Sequence, residues 1–197
     1  MAMALDLHSY LEPFIEIPGA TSVALVRNLF QKAQGRFMII TEKGNPQALV
    51  VKEYLTESIG EQAISLVSIV KKLPPLVVVE RGSTALGVED LRILSLWLSQ
   101  TKAPGLVVYQ NDTVIGVVSR HTIVHALPPS AILPSSNKRG DPVVPESSYF
   151  CRKCAEQDPP AALVLSERGK VPRCPKHRFE HSTNFMEKGV NCVQHRS

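Results

Sequence analysis

Residues 105–124 read GLVVYQNDTVIGVVSRHTIV and contain the first clear structural signal of the chain. Two apolar runs, at residues 106–109 and 114–118, lie on either side of Asn111 and Asp112. Asn and Asp between two apolar runs are typical of a turn that joins neighbouring strands. A short helix is expected next, over residues 120–127. The segment therefore predicts a β-hairpin that is closed by a helix.

The same pattern occurs earlier, where residues 36–55 read RFMIITEKGNPQALVVKEYL. Here the apolar runs are residues 37–40 and 48–51, the turn is predicted at Gly44-Asn45-Pro46, and a helical segment follows over residues 52–58. Such continuous apolar runs suit strands that are covered on both faces. The chain is thus predicted to contain one unit twice.

A strand and an amphipathic helix precede each hairpin. The predicted strands are residues 14–18 and 76–79, and the helices are residues 23–33 and 89–102. Thr21 or Ser22 can cap the first helix, and Glu89-Asp90 complements the dipole at the start of the second. A connecting helix is predicted over residues 61–72, before Pro74-Pro75. Neither unit is large enough to be stable alone, so the two are expected to bury a shared face.

Each unit resembles the CBS module, and the doubled unit resembles the CBS pair known as the Bateman module. The resemblance rests on residues 36–55 and 105–124 and covers roughly residues 10–127. It implies an α/β (α+β) fold with tandem repeats of β-α-β-β-α type, at about residues 10–58 and 74–127. It also implies a homodimer that forms through helix faces.

The resemblance further implies a ligand of the adenosine type, such as an adenine nucleotide, bound between the repeats. The family's ligand motif is a glycine, then Ser or Thr three residues later, then an acid after three more. The second repeat has Gly116, Ser119 and Thr122 at these positions, and the first has Ala48, Val51 and Tyr54. The ligand-binding candidates are Thr21, Ser119, Arg120, His121 and Thr122.

The C-terminal segment contains a different signal, a pair of metal-binding knuckles. Cys151-x-x-Cys154 is followed, after nineteen residues, by Cys174-x-x-His177. Thiolate and imidazole at this spacing are typical of a structural zinc site. Residues 161–166 are expected to form a strand, and a return strand is expected to start at Val171. The segment looks like a zinc ribbon, and Zn²⁺ is expected to supply much of its stability.

Alternatives to this assignment remain at the sequence level. His181, Cys192 and His195 are rivals of His177 as the fourth ligand. Iron is also possible, although rubredoxin-like sites prefer four thiolates. Cys151-Arg-Lys-Cys154 is also compatible with a redox dithiol whose pKa the basic neighbours would lower. No thioredoxin-like strand–helix context precedes it, which favours the metal.

The domain boundaries follow from composition. Residues 1–127 form the tandem repeat, residues 128–147 are a Pro/Ser-rich linker, and residues 148–197 form the small zinc-ribbon-like domain. No apolar run approaches the roughly 20 residues that cross a bilayer. The first residues lack a secretory pattern, and the knuckle spacing favours metal over disulfides, so a reducing, cytoplasmic location without membrane contact is expected.

The charge of the chain is unevenly distributed. Residues 1–137 contain eleven Lys/Arg and eleven Asp/Glu, whereas residues 138–197 contain eleven against seven. The basic C-terminal segment suggests nucleic-acid binding as one hypothesis, with Phe150 and Phe179 beside the knuckles. Its basic candidates are Arg152, Lys153, Arg168, Lys170, Arg173, Lys176 and Arg178. The mild excess favours a protein partner for this segment instead.

The sequence does not indicate an enzyme. It contains no Gly-x-Ser-x-Gly elbow, no Gly-x-x-x-x-Gly-Lys phosphate loop and no His-Glu-x-x-His motif. A zinc site with four protein ligands has no open position for water and is therefore structural. The expected function is that of a non-enzymatic regulatory or adaptor protein, which senses a ligand or serves as a dimerising scaffold.

Overall fold

The computed structural model describes residues 5–57, 65–80, 85–127, 148–157, 162–167, 170–177 and 186–188. Its elements alternate between strands and helices, which confirms the mixed α/β class. In chain order they are β1 (Leu5–Asp6), a 3-10 helix (Leu7–Tyr10), β2 (Phe14–Pro18), α1 (Val23–Lys32), β3 (Phe37–Glu42), β4 (Asn45–Val51), α2 (Lys52–Glu57), α3 (Leu66–Val70), β5 (Val77–Glu80), β6 (Ala85–Leu86), α4 (Val88–Thr101), β7 (Gly105–Gln110), β8 (Thr113–Ser119), α5 (Arg120–Ala126), β9 (Ser148–Cys151), α6 (Arg152–Gln157), β10 (Leu163–Ser166), a second 3-10 helix (Pro175–His177) and β11 (Met186–Lys188).

The predicted duplication is confirmed by the strand pairing. In the first repeat β2 lies parallel to β3, and β3 is antiparallel to β4. In the second repeat β5 lies parallel to β7, and β7 is antiparallel to β8. Each hairpin has a register shift at the same place, after Ile40 in one and after Val108 in the other. A shared irregularity of this kind marks the repeats as two copies of one unit.

The two hairpins turn through residues with positive φ. Lys43 and Gly44 have φ of 50° and 77°, and Asn111 and Asp112 have φ of 48° and 66°. Two-residue hairpin loops require this conformation because its twist matches that of the strands. The predicted turn at Asn111-Asp112 is confirmed. The turn predicted at Gly44-Asn45-Pro46 begins one residue earlier, and Asn45 and Pro46 already belong to β4.

Two inner sheet faces meet between the repeats. Along β3, Met38 and Ile40 pack with the helices of the first repeat, while Phe37 and Ile39 point to the opposite side. Along β7, Leu106 and Val108 face the helices of the second repeat, and Val107 joins Phe37 and Ile39 in one cluster. The period of two along each strand therefore divides the core into three layers. We refer to the middle layer, which both repeats share, as the inter-repeat core.

The segment that leads into each repeat packs on the other repeat. Leu7 precedes the first repeat but is buried in the core of the second, and β1 pairs with β6 there. In turn, α3 precedes the second repeat, but its Leu66 and Ile69 are buried in the core of the first. The amide of Leu66 donates to the carbonyl of Thr21 at 3.1 Å. The two repeats are therefore reciprocally interlocked.

The C-terminal strands continue the sheet of the second repeat. β10 lies parallel to β5, with Leu163 opposite Val77, and antiparallel to β9, which pairs in turn with β11. The result is a six-stranded sheet in the order β11-β9-β10-β5-β7-β8. Val164 of β10 is fully buried in the inter-repeat core. The boundary of a separate domain at 148–197 stays a prediction, and these strands are hydrogen-bonded to the second repeat.

Two details of the predicted elements need correction. The return strand expected from Val171 is wrong, because residues 170–174 form no helix or strand. Both edges of β10 are already paired, which leaves no place for it, and Pro172 lacks an amide donor. The connecting helix α3 is shorter than the predicted residues 61–72. Residues 58–64 and the linker at 128–147 lie outside the described residues.

The helices of the body are of ordinary length for a small globular unit. Within the part of the chain that the structure describes, none of them is both long and apolar enough to span a bilayer. The longest, α4, has fourteen residues and is capped at its start, where the carboxylate of Asp90 accepts from the amide of Gly87 at 3.1 Å.

Candidate metal centre

Three buried cysteines converge at the end of the C-terminal strands. Cys151 is the last residue of β9, Cys154 lies in the first turn of α6, and Cys174 directly precedes the 3-10 helix Pro175–His177. Their Sγ atoms all lie within 4.8 Å of one another, and those of Cys154 and Cys174 are 3.5 Å apart. Cys151, Cys154 and Cys174 are 0, 2 and 4% exposed. The two predicted knuckles thus meet.

This geometry fits a zinc ion. Zn–S bonds of about 2.3 Å in a tetrahedron place neighbouring sulfurs about 3.8 Å apart, which the cluster approaches. Side-chain hydrogen bonds with Cys151 and Cys174, followed by burial, raise the pKa of the Cys154 thiol far above its usual range. A bound cation offsets this penalty because it stabilises the thiolate form. Three thiols so placed therefore suit a divalent soft cation.

The structure does not describe the side chains of the four candidates for a fourth ligand. His177 ends the 3-10 helix that begins after Cys174, so its backbone is next to the cluster. Its side chain, like residues His181, Cys192 and His195, lies outside the described part of the chain. The choice among these four residues stays a prediction.

The second knuckle is attached to the first repeat, which the sequence did not predict. The side-chain amide of Gln47, in β4, donates to the carbonyl of Lys176 at 2.9 Å. Cys151 and Cys154, in contrast, extend from β9 of the six-stranded sheet. All three cysteines lie in the inter-repeat core, beside residues of both repeats. A metal at this cluster would connect the second sheet to the first repeat.

The predicted ligand-binding residues fall into two groups. Ser119 and Thr122 lie together, because the hydroxyl of Ser119 caps α5: it accepts from the amide of Thr122 at 3.2 Å and is 2.9 Å from the Thr122 hydroxyl. Arg120 and His121 are exposed on the same helix, and the ring of His121 lies 4.0 Å from that of His125. Thr21 lies in the first repeat, beside the start of α3.

A separate cleft lies between the two hairpin turns and encloses about 190 Å³. Its walls come from both repeats, with Asn45 and Pro46 on one side and Asp112 and Thr113 on the other. The ligand candidates at Thr21 and 119–122 do not line it. The sequence offered no signal for this cleft, since it depends on how the repeats face each other.

One of the residues considered for nucleic-acid binding, Lys176, is buried and only 5% exposed. Phe150 is half-buried and packs against the core of the second repeat. Arg152, Lys170 and Arg173 are exposed, and Lys153 is half-buried. Arg168, Arg178 and Phe179 lie outside the described residues.

Comparison with known proteins gives likenesses in structure only. No family model matches the chain, and no curated protein matches it. Among solved structures, it is similar to a CBS domain protein of unknown function from Thermoplasma acidophilum, with 14% identity, a TM-score of 0.49, and coverage of 66% of this chain and 72% of that one.

Two further solved structures show a similar likeness. A hexameric CBS-CP12 protein from bloom-forming cyanobacteria has 21% identity and a TM-score of 0.47, over 64% of this chain and 72% of that one. A putative signal-transduction protein with CBS domains from Burkholderia ambifaria has 11% identity and a TM-score of 0.44, over 70% of this chain and all of that one.

Proposed function

We propose that this chain is a non-enzymatic regulatory or adaptor protein in which a CBS-type pair is held together by a structural zinc ion. The observation that carries the proposal is the position of the three buried thiols, which lie in the core that both repeats share. A metal there fixes the relative position of the repeats. A ligand that binds between the repeats depends on that relative position. The metal therefore supports regulation by keeping the repeats in place, and it takes no part in a reaction.

The proposed metal site consists of Cys151, Cys154, Cys174 and His177. Three thiolates and one imidazole complete a tetrahedron and leave no open position for a substrate or water. Support comes from the 3-10 helix, which starts directly after Cys174 and ends at His177. A reducing, cytoplasmic setting keeps such thiols available for metal.

The assignment of His177 predicts a selective loss of metal affinity. We expect His177→Ala to weaken zinc binding by roughly a hundredfold, because the ion loses one of four protein ligands. The variants His181→Ala, Cys192→Ala and His195→Ala should bind zinc as tightly as the unchanged chain. Competition with a chromophoric chelator measures all four. An unchanged affinity in His177→Ala, with a loss in one of the other three, would transfer the role to that residue.

The proposed sensor function concerns α5 and the start of α1. Ser119 is buried, Thr122 is half-buried, and their hydroxyl groups are already hydrogen-bonded to each other. A ribose or phosphate oxygen would therefore have to form an additional hydrogen bond with these same hydroxyl groups. Arg120 is exposed at the first position of the same helix. A guanidinium there suits the phosphate of an adenine nucleotide.

The sensor function predicts thermal stabilisation by nucleotides. Because a ligand that binds only the folded state stabilises it, AMP, ADP or ATP at 100 times its Kd should contribute about 2.7 kcal/mol. For a chain of this size that raises the melting temperature by about 5–11 °C. Arg120→Ala should remove most of this shift and leave the melting temperature without nucleotide unchanged. If neither these nucleotides nor S-adenosylmethionine change the melting temperature, the sensor function is excluded and the scaffold function remains.

The scaffold function is proposed to use a homodimer. Leu25 and Leu29 lie four residues apart on α1 and are 52% and 43% exposed. Leu96 of α4 is 48% exposed as well. Apolar side chains on helix surfaces are suited to pack against a second copy. The C-terminal segment, with exposed Arg152, Lys170 and Arg173, is proposed to contact a protein partner.

A further inference from the structure

Two histidines lie side by side on the surface of α5. His121 and His125 are four positions apart, which is close to one helical turn. The centroids of their rings are 4.0 Å apart, with an angle of 41° between the ring planes. Both residues are exposed. Their contact therefore places two imidazole groups within reach of one ligand from the solvent.

The backbone between the two histidines is fixed at both ends of α5 and in its middle. The hydroxyl of Ser119 accepts a hydrogen bond from the amide of Thr122 at 3.2 Å, and the amide of Leu127 donates to the carbonyl of Val124 at 3.4 Å. Ile123, midway between the histidines, is fully buried in the core of the second repeat. A ligand would therefore order only the two imidazole side chains, which keeps the entropic cost of binding small.

The helix dipole does not explain the pair. A positively charged histidine is favourable in the last turn of a helix, where His125 lies, but unfavourable in the first turn, where His121 lies. Neither ring forms a hydrogen bond or an ion pair with any residue that the structure describes. The ring nitrogens of both histidines are therefore available to bind a ligand.

The geometry of the pair fits a transition-metal ion. Helical histidines at positions i and i+4 lie on one face and can hold one metal ion together. With metal–nitrogen bonds of about 2.0–2.1 Å, two imidazoles at a right angle on one ion have ring centroids about 4.5 Å apart. The rings of His121 and His125 are 4.0 Å apart, so the exposed pair needs to open only slightly.

We propose that His121 and His125 bind one divalent transition-metal ion, of the Ni²⁺ or Cu²⁺ type, at a second metal site of this chain. Imidazole suits these ions, whereas Mg²⁺ and Ca²⁺ prefer oxygen ligands. Two protein ligands leave the other positions of the ion to water, so this ion exchanges with solvent and is lost on dialysis. The site is separate from the cysteine cluster and does not require a nucleotide.

Two exposed basic side chains near the start of α5 reduce the affinity of this site. Arg120 directly precedes the first histidine, and its amide donates to the carbonyl of Pro104 at 2.9 Å. The exposed Lys102 is two residues before Pro104 and is therefore also close. Their repulsion of a bound cation is weakened by water and salt, because both side chains are exposed. Arg120→Ala should therefore bind the ion at least as tightly as the unchanged chain.

The probe is Ni²⁺, titrated by calorimetry without nucleotide into full-length protein whose cysteine cluster is loaded with zinc. We expect His125→Ala to bind Ni²⁺ at least about tenfold more weakly, because the ion loses one of its two protein ligands. His125 is exposed, so this variant should have an unchanged melting temperature without nickel. Mg²⁺ should not bind. Unchanged nickel affinity in His125→Ala, or no nickel binding to the unchanged chain at millimolar concentration, would overturn the proposal.

His8→Ala and His195→Ala are the matched controls, because each removes a histidine outside α5. Both should bind Ni²⁺ as tightly as the unchanged chain. A loss in either that equals the loss in His125→Ala would contradict a site made by the pair on α5.

A thermal measurement separates this site from the proposed sensor function. Ni²⁺ at 100 times its Kd should raise the melting temperature by about 5–11 °C, because it binds two side chains that are adjacent only in the folded helix. The shift should be absent in His125→Ala and present in Arg120→Ala. A nickel shift without any nucleotide shift in the unchanged chain would exclude the sensor function and support the metal site. A nickel shift that persists in His125→Ala would contradict the metal site, whatever the nucleotides do.

Discussion

Chelation of the metal from the natively purified protein is expected to lower its melting temperature by about 8–16 °C. The cluster of Cys151, Cys154 and Cys174 is buried between the two repeats, so its loss should affect the whole fold. A metal present at 1,000 times its Kd contributes about 4 kcal/mol. That corresponds to about 8–16 °C for a chain of 150–250 residues. The melting temperature can be followed by the fluorescence of Trp97, because this single tryptophan is buried in the core of the second repeat.

Metal reconstitution is the control for this experiment. Stoichiometric Zn²⁺ should restore the original melting temperature, whereas Mg²⁺ should not, because thiolates select soft cations. Elemental analysis should find one zinc per chain before chelation and none after it. An unchanged Trp97 transition in protein that is verified to be metal-free would contradict the proposed role of the ion. Metal-free protein at the point of purification would contradict the zinc site itself.

Val164→Asp is expected to destabilise the protein by about 4 kcal/mol or more, and so to lower the melting temperature by about 8–16 °C. Val164 lies in β10 and is 0% exposed in the inter-repeat core. A carboxylate there would be buried without a partner. Because β10 is hydrogen-bonded to β5, the substitution should also destabilise the second repeat. The unfolding transition followed by Trp97 fluorescence should therefore shift to a lower temperature.

Val171→Asp is the matched control, since Val171 belongs to the same C-terminal segment but is 51% exposed. The melting temperature of the Val171→Asp variant should stay within about 2 °C of that of the unchanged protein, as is usual for surface substitutions. If the C-terminal segment were an independent unit, Val164→Asp would unfold that segment and leave the Trp97 transition in place. This outcome would contradict the shared sheet.

Local patterns in the sequence predicted the elements of both repeats. The first helix follows from apolar positions on one stripe, which are Val23, Val26, Leu29 and Phe30. The structure buries Val23, Val26 and Phe30, whereas Leu29 is 43% exposed. The strands follow from short apolar runs between turn residues. The three clustered cysteines follow from their spacing, because two Cys-x-x knuckles that bind one ion must meet. These signals are all contained within a few residues of each other.

Long-range pairing could not be predicted in the same way. Residues 163–166 read LVLS, an apolar run that would fit any open sheet edge, and nothing in it specifies β5. The two-residue strands β1 and β6 are too short to have a period. Gln47 gives no signal either, because a single amide on a strand is ordinary until its partner, the Lys176 carbonyl, is known. The cleft at Glu16 and Asn45 depends on the same long-range arrangement.

The interlocked arrangement of the core has a consequence for biosynthesis. The core of the second repeat contains residues from three distant parts of the chain. They are Leu7, residues between Val77 and Leu127, and Leu163 with Leu165. Contacts that span most of the chain form late, because closing long loops is slow. The elements of the first repeat are all synthesised once α3 has left the ribosome, whereas the sheet of the second repeat is complete only after β10. Until then the valine-rich edge of β5 lacks its final partner, and an unpaired strand edge of this kind is prone to aggregation.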